Sequence, residues 1–251
     1  MLHFIPNAKN KKGGQLKWSV RPFPMLTDPS ERYSGVYTGI SVEICNPQNI
    51  HAIYESGFYG KGSKSRSVPQ SVKTTKNVTE ASQSNFDSET LSLDLEESFF
   101  LAYFLEVLNI YNLNGSEISW QELLQSYVQL KPNFVECLAA FLYLKSKNWV
   151  VKSGIKFGGD FVIYKIGPRF YHASFIVIIS TACLPAQMLP HNIKGLQRIA
   201  ETSDKDVLLL EITKSRPDLI INSLEDFSTF SISETIIRRF NYTAYVQNST
   251  K

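Results

Sequence analysis

Three residues of this 251-residue chain, Tyr164, His172 and Lys205, have side-chain types that suit acid–base cleavage of RNA without a metal ion. An imidazole exchanges protons near neutral pH, and a phenol can take part in proton transfer. An ammonium can stabilise negative charge on phosphate oxygens. No carboxylate is required in such a set, so the question is whether the fold brings the three together.

The pattern of predicted elements places the first two residues beside each other. Phe161 to Tyr164 is predicted to be a short strand that ends before a turn at Gly167-Pro168. His172 to Ser180 is a nearly continuous apolar and β-branched run, typical of a strand covered on both faces. In a hairpin, the end of the first strand lies beside the start of the second. Tyr164 and His172 are therefore expected at the same end of a sheet.

A crossover connection brings the third residue to the same place. A helix is predicted over Ile193 to Thr202, followed by a strand over Val207 to Ile212. A strand–helix–strand crossover makes the two strands parallel, so both begin at one edge of the sheet. Lys205 then joins Tyr164 and His172. Each residue alone also has an ordinary interpretation, as a half-buried core tyrosine, a surface histidine or a solvated lysine.

Four further segments carry a resemblance to a known family. They are Tyr59 to Ser67 (YGKGSKSRS), Leu95 to Leu101 (LEESFFL), Ser146 to Phe161 (SKNWVVKSGIKFGGDF) and Ile163 to Phe175 (IYKIGPRFYHASF). In this order they resemble the tRNA-splicing endonuclease family, and within it the eukaryotic catalytic subunit that cuts at the 5′ splice site. The resemblance covers most of the chain.

The resemblance implies a role for each candidate residue. Tyr164 stands at the position of the family's general base, His172 at that of the general acid, and Lys205 at that of the lysine that stabilises the transition state. Arg198 stands seven residues before Lys205, where the family has an arginine that grips a bulged RNA base. Phe240 stands where the eukaryotic relatives have a tryptophan, and it keeps an aromatic face for the other half of that grip. The implied products are a 2′,3′-cyclic phosphate and a 5′-hydroxyl, with no cofactor and no metal.

The role of Tyr164 has two interpretations. The ordinary pKa of a tyrosine, about 10, makes it a poor base at neutral pH. A neighbouring cation such as Lys205 would favour the phenolate. Alternatively, Tyr164 orients the 2′-hydroxyl without taking its proton.

The resemblance also implies partners. Precursor tRNA is the expected substrate, and the expected assembly has four subunits: this chain, a second catalytic subunit for the 3′ site and two structural subunits. A nuclear location is implied in the same way. Exposed strand edges of the C-terminal domain and a pocket for a partner's loop are expected to join the subunits.

The sequence is also compatible with three other functions. One is the sister subunit that cuts the 3′ site, and another is a non-catalytic RNA-binding or scaffold subunit. The third is a metal-dependent nuclease built on Asp160, Glu211 and Lys214. Glu211 is expected about 20 Å along its strand from Lys205, far from the edge where the other residues meet.

Composition is compatible with an RNA partner without requiring one. The net charge is +3, and 43% of the residues are hydrophobic, as in ordinary globular proteins. Cys45, Cys137 and Cys183 are scattered, which indicates reduced thiols rather than a disulfide framework. Neither a secretory leader nor a membrane span is predicted.

The chain is predicted to have four parts. Residues 1–60 form a small N-terminal α+β unit, 61–88 a flexible basic linker, 89–150 a helical segment, and 151–251 a C-terminal catalytic α/β domain whose mixed sheet contains the crossover helix. Within the helical segment, one helix is predicted over Asp94 to Tyr111. A second, over Gln121 to Leu130, follows a capping box at Ser119 and Glu122. A third is opened by Pro132 and runs to about Lys147.

Overall fold

The computed structural model describes residues 22–26, 28, 31–65, 68–73, 89–181, 190–214 and 221–238. Its named strands form two five-stranded sheets. The strands of the first sheet are β1 (Tyr33–Tyr37), β2 (Val42–Ile44), β3 (Lys61–Gly62), β4 (Leu91–Leu93) and β5 (Leu108–Tyr111). The strands of the second sheet are β6 (Val150–Ser153), β7 (Phe161–Tyr164), β8 (Phe175–Thr181), β9 (Asp206–Thr213) and β10 (Ser231–Ile237).

The first sheet has the order β3-β4-β2-β1-β5. Strands β1 and β2 pair as an antiparallel hairpin. Helix α1 (Pro47–Glu55) begins where the side chain of Asn46 accepts hydrogen bonds from the first free backbone N–H groups, at 2.8 Å from Gln48 N. This helix belongs to the α+β unit predicted for the N-terminal part of the chain.

Three helices are present in the predicted middle segment, and strands lie among them. The helices are α3 (Leu95–Phe99), which continues as a π-helical turn (Phe100–Phe104), α4 (Trp120–Leu130) and α5 (Phe134–Ser146). Helix α5 begins two residues later than predicted, because its N-cap is Asn133 and Pro132 lies outside the helix. The capping box is confirmed, because Glu122 N donates to Ser119 Oγ at 3.4 Å and Ser119 N donates to the Glu122 carboxylate at 3.1 Å.

The helix predicted over residues 94–111 is wrong in its second half. Leu108–Tyr111 is strand β5, which pairs in parallel with β1 from Tyr33 opposite Leu108 onward. Its side chains are alternately buried and partly exposed, the period of a strand and not of a helix. Glu106, with φ of 54°, is the point where the chain leaves the helical conformation.

The second sheet has the order β10-β9-β8-β7-β6, and the predicted topology is confirmed. Strands β7 and β8 are antiparallel, whereas β8 and β9 are parallel and are connected through α6 (Pro190–Thr202). Strand β8 begins at Phe175, three residues later than predicted. The α+β N-terminal region, helical middle and C-terminal mixed sheet with a crossover helix are all present.

The second sheet is covered on both faces. Side chains such as Phe161, Val177 and Leu208 point into the main core, which also contains the first sheet and helices α1, α3, α4 and α5. The alternate side chains form a smaller cluster beneath α6, with members Val162, Ile176, Ile178, Val207, Leu209 and Ala200. We call this surface the α6 face.

A buried ion pair joins the two halves of the chain. Lys152 Nζ of β6 lies 2.7 Å from Glu97 Oε1 of α3 and also donates to the carbonyl oxygens of Phe58 and Gly60, each at 2.9 Å. The N–H of Gly60 donates to the other oxygen of Glu97 at 2.9 Å. Three of the segments that carry the family resemblance therefore meet at this contact.

The predicted linker is described only in part. Lys61–Gly62 is strand β3, paired with β4, and Gln70–Lys73 is helix α2. Residues 66–67 and 74–88 lie outside the described residues. The first sheet thus draws strands from both sides of this segment, and the predicted four-part division stays a prediction. Within the described ranges, no helix has the length and apolar character needed to cross a bilayer.

Candidate active site

Tyr164 is the last residue of β7, at the end of the second sheet where β8 and β9 begin. Its backbone pairs with Val150 of β6, and its side chain packs against both apolar clusters while remaining partly exposed. Ser174, just before β8, lies in the same row across the sheet as Tyr164, because Ser174 N donates to Ile163 O at 2.8 Å. Tyr164 is therefore at the end of the sheet, as predicted.

Lys205 lies on the same row, two strands away. Asp206 is opposite Phe175 in the parallel β8–β9 pair, and Asp206 N donates to Ser174 O at 3.3 Å. Ser174 is thus bonded through its backbone to both neighbours. We call the end of the sheet marked by Tyr164, Ser174 and Lys205 the site edge.

His172 enters the site edge from the turn between β7 and β8. Its side chain is exposed, and it lies two residues before Ser174. The turn is fastened to the N-terminal half of the chain, because the Arg169 guanidinium donates to both carboxylate oxygens of Glu55 in α1, at 3.0 and 2.7 Å. Gly167 fits against the Phe58 ring, and a Cβ at this glycine would lie 2.2 Å from it.

The structure therefore brings Tyr164, His172 and Lys205 to one edge. Two inter-strand spacings separate the backbones of Tyr164 and Lys205, about 10 Å, which leaves room for a phosphodiester between their side chains. In the described part of the chain the three side chains are not hydrogen-bonded to one another, and Lys205 Nζ donates to the Ser203 carbonyl oxygen instead. Catalytic contacts of this kind often form only when the substrate is bound.

Burial shifts the pKa values of Tyr164 and Lys205. Burial raises the pKa of Tyr164 above its ordinary value. Tyr164 is thus a neutral phenol at pH 7 in the free protein. Burial lowers the pKa of Lys205, while the carboxylate of Asp204 acts in the opposite direction.

The Lys205 ammonium is held on the α6 face. Nζ donates to the carbonyl oxygen of Ser203 at 2.7 Å, just beyond the end of α6. It also lies over the ring of Phe157, 4.6 Å from the ring centroid. Sequence reasoning did not single out Phe157, although the neighbouring Gly158-Gly159 pair was a signal that the chain there lies close to other backbone.

The two residues expected to bind the RNA base are placed differently. Arg198 is exposed on the outer side of α6, since Leu196 and Ala200 on the same helix pack against the sheet. Its guanidinium is therefore accessible to a ligand but is not part of the row along the site edge. Phe240 lies outside the described residues.

The carboxylates considered for a metal-dependent nuclease have protein partners. Asp160 accepts a hydrogen bond from Ile179 N at 2.8 Å, and Glu211 accepts one from the Ser233 hydroxyl at 3.0 Å. Lys214 forms an ion pair with Glu136 at 3.1 Å. Within the part of the chain that the structure describes, no three His, Cys, Asp or Glu side chains are grouped as metal ligands.

Two regions of the chain match the two domains of one known protein family. Residues 33–124 match the tRNA intron endonuclease N-terminal domain, and residues 134–217 match the tRNA intron endonuclease catalytic C-terminal domain. The second match includes Tyr164, His172, Arg198 and Lys205.

Individual relatives are similar to this chain over 60% or more of its length. The chain is 34% identical over 164 residues to tRNA-splicing endonuclease subunit Sen2 of Rattus norvegicus, which is 61% of this chain and 34% of that protein. It is 31% identical over 168 residues to the tRNA-splicing endonuclease of Sulfurisphaera tokodaii, which is 66% of this chain and 83% of that protein. It is 29% identical over 152 residues to tRNA-splicing endonuclease subunit Sen2-2 of Arabidopsis thaliana, covering 60% of each. The chain thus spans about a third of the rat relative.

Proposed function

The chain belongs to the tRNA-splicing endonuclease family, and on this premise we propose that it is the catalytic subunit that cleaves precursor tRNA at the 5′ splice site. The observation that carries the proposal is the convergence of Tyr164, His172 and Lys205 at the site edge. Tyr164 and Lys205 lie in one row across the paired strands, and His172 lies in the turn just before β8 at the same edge.

In the proposed reaction the ribose 2′-oxygen attacks the adjacent phosphorus, and the bond from phosphorus to the 5′-oxygen breaks. His172, as imidazolium, gives its proton to the departing 5′-oxygen, and Lys205 stabilises the charge on the phosphorane-like transition state. Tyr164 binds the 2′-hydroxyl and, as the phenolate, takes its proton; when Tyr164 is neutral and only orients the hydroxyl, the proton passes to solvent water. The products are a 2′,3′-cyclic phosphate and a 5′-hydroxyl, with no cofactor or metal.

Substrate binding and assembly complete the proposal. Arg198 and Phe240 grip a bulged base, which is supported for Arg198 by its exposure on the outer side of α6. A second catalytic subunit and two structural subunits assemble with this chain in the nucleus. The mostly exposed edge strand β10 offers one surface for such an assembly.

Cleavage of a precursor tRNA in EDTA, with end-group analysis, tests this function. Using the assembly reconstituted with its partner subunits, we expect full activity in EDTA and a 2′,3′-cyclic phosphate end. His172→Ala should abolish the cut at the 5′ site, preserve the cut at the 3′ site and leave RNA binding nearly unchanged. Strict Mg²⁺ dependence, or loss of the 3′ cut instead, would contradict the proposal.

A sulfur-substituted substrate shows whether His172 acts as the acid. When the 5′-oxygen at the cleavage site is replaced by sulfur, the leaving thiolate needs no proton. The His172→Ala assembly should cleave this substrate at close to the wild-type rate, whereas Lys205→Ala should not be rescued. Equal failure of both variants on the sulfur substrate would assign His172 a structural role.

A further inference from the structure

Phe157 and Ser203 together fix the Lys205 ammonium. Nζ lies 4.6 Å from the centroid of the Phe157 ring and 2.7 Å from the Ser203 carbonyl oxygen. Among the described residues, no carboxylate lies within ion-pair distance of Lys205 Nζ, although the charge of the neighbouring Asp204 favours the ammonium form. An ammonium has three N–H groups, so one carbonyl and one ring face leave at least one N–H for an incoming oxygen.

The Gly158-Gly159 pair explains how Phe157 reaches this position. Phe157 ends a 3₁₀ turn (Ile155–Phe157), after which Gly158 adopts a left-handed conformation with φ of 72°. The chain then lies directly on the α6 face of the sheet. A Cβ at Gly159 would be 2.5 Å from Ile176 Cγ2 and 2.9 Å from the Val177 carbonyl oxygen, so only glycine fits there.

The Phe157 ring packs against the apolar cluster of the α6 face, as do Leu196 of α6 and Tyr164. The ring is therefore fixed by packing, and its face is turned to the ammonium of Lys205. The ammonium at the end of the flexible Lys205 side chain is thus held at a defined position.

We propose that Phe157 is a positioning residue for Lys205, whose ring face directs the ammonium toward the phosphate of a bound RNA. The inference deepens the proposed function and rests on it. An aromatic face attracts a cation without cancelling its charge, whereas a carboxylate would compete with the phosphate for the same ammonium. Phe157 itself touches neither the nucleophile nor the leaving group in the proposed reaction.

A double-mutant cycle separates positioning from simple packing. In the reconstituted assembly, we expect Phe157→Leu to lower the single-turnover rate about tenfold, the size of a partly buried cation–π contact. The dissociation constant for precursor tRNA should change less than about twofold. Phe157→Tyr keeps the ring face and should retain the wild-type rate.

The decisive measurement is Phe157→Leu in the Lys205→Ala background. If the ring acts through the ammonium, this second change should have no further effect on the residual rate. Tyr143→Leu is the matched control, because Lys147 lies 4.4 Å from the Tyr143 ring centroid on α5 and is not part of the site edge. This control should cleave like the wild type.

Three outcomes would overturn the inference. A wild-type rate for Phe157→Leu, or an equal loss with and without Lys205, would mean that the ring only fills space, and the proposed function would stand. A wild-type rate for Lys205→Ala would remove the lysine from the proposed reaction and the positioning role with it. Thermal unfolding of each variant shows whether a loss of rate comes from loss of the fold.

Discussion

At the scale of the residue, the Tyr164 hydroxyl has two alternative roles at the site edge. Burial raises its pKa, so the free protein presents a neutral hydroxyl at pH 7. Its hydroxyl must nevertheless contact the 2′-hydroxyl in the proposed reaction, either as a phenolate that takes the proton or as a group that orients it. Both roles depend on the same oxygen atom.

Tyr164→Phe removes that oxygen and keeps the ring that packs against both apolar clusters. We expect the single-turnover rate of precursor cleavage to fall by about 100-fold or more, the usual contribution of a group that moves or orients a proton. The thermal unfolding midpoint should stay close to that of the wild type. Tyr37→Phe is the control, because it removes a hydroxyl of the first sheet that donates to the Gly39 carbonyl oxygen at 2.9 Å. Similar rates for the two variants would exclude Tyr164 from the reaction.

Local rules were sufficient to predict the positions of the candidate residues. Strand alternation, a Gly-Pro turn and a parallel crossover bring Tyr164, His172 and Lys205 together, and all three rules act over short stretches of sequence. The contacts that hold them in place are not local. Glu55 reaches Arg169 across 114 positions of the chain, and no periodicity shows which distant side chain will arrive.

The same reason explains the missed strand β5. Leu108, Ile110 and their neighbours continue an apolar spacing that also fits a helix. Pairing with β1, far away in the sequence, decides in favour of a strand. The predicted base-binding residue Phe240 lies outside the described residues, so its place stays a prediction.

At the scale of the element, helix α1 supports the turn that carries His172. The Arg169 guanidinium of the turn donates two hydrogen bonds to the Glu55 carboxylate of α1. The Phe58 ring, just after α1, packs edge-on against Phe170 of the turn, with centroids 6.2 Å apart. A bidentate pair of this kind fixes orientation as well as distance. The N-terminal half of the chain therefore contributes to the geometry of the site edge without supplying a reacting group.

Breaking the Arg169–Glu55 pair should loosen the turn and lower activity modestly. We expect Arg169→Gln and Glu55→Gln each to lower the single-turnover rate about three- to tenfold, because both groups are partly exposed and the pair is worth roughly 1 kcal/mol. The double variant should be no slower than either single one. Arg32→Gln breaks the more exposed pair with Glu106 and should leave the rate unchanged. Additive losses from Arg169 and Glu55 would show that they act separately.

At the scale of the whole molecule, a buried lysine connects the two halves. Lys145, near the end of α5, is only 5% exposed. Its ammonium lies over three rings from the N-terminal half, at 4.6 Å from the centroid of Tyr59, 5.2 Å from Phe23 and 5.9 Å from Phe100. Burial lowers its pKa to about 8, and the nearby Lys152 acts in the same direction while Glu97 opposes it.

This lowered pKa predicts that part of the free energy of unfolding depends on pH. Below pH 8 the lysine is protonated in both states. Between about pH 8 and the ordinary lysine value of 10.5, the unfolded chain holds a proton that the folded chain has lost. Stability then rises with pH, by about 1.4 kcal/mol per unit for one group.

Lys145→Met removes the titrating group and keeps an apolar side chain of similar length among the rings. In urea denaturation at pH 7, 8, 9 and 9.5, we expect wild type to gain stability relative to this variant above pH 8, by roughly 1 to 2 kcal/mol at pH 9.5. Lys147→Met should show no such trend, because hydrogen bonds to Tyr143 and Glu234 raise the pKa of Lys147 and its titration falls above this range.

A constant difference between wild type and Lys145→Met from pH 7 to 9.5 would mean that the buried ammonium keeps its ordinary pKa. The three rings would then have to offset the whole desolvation of the charge, which exceeds what cation–π contacts of about 0.5 to 2 kcal/mol usually provide.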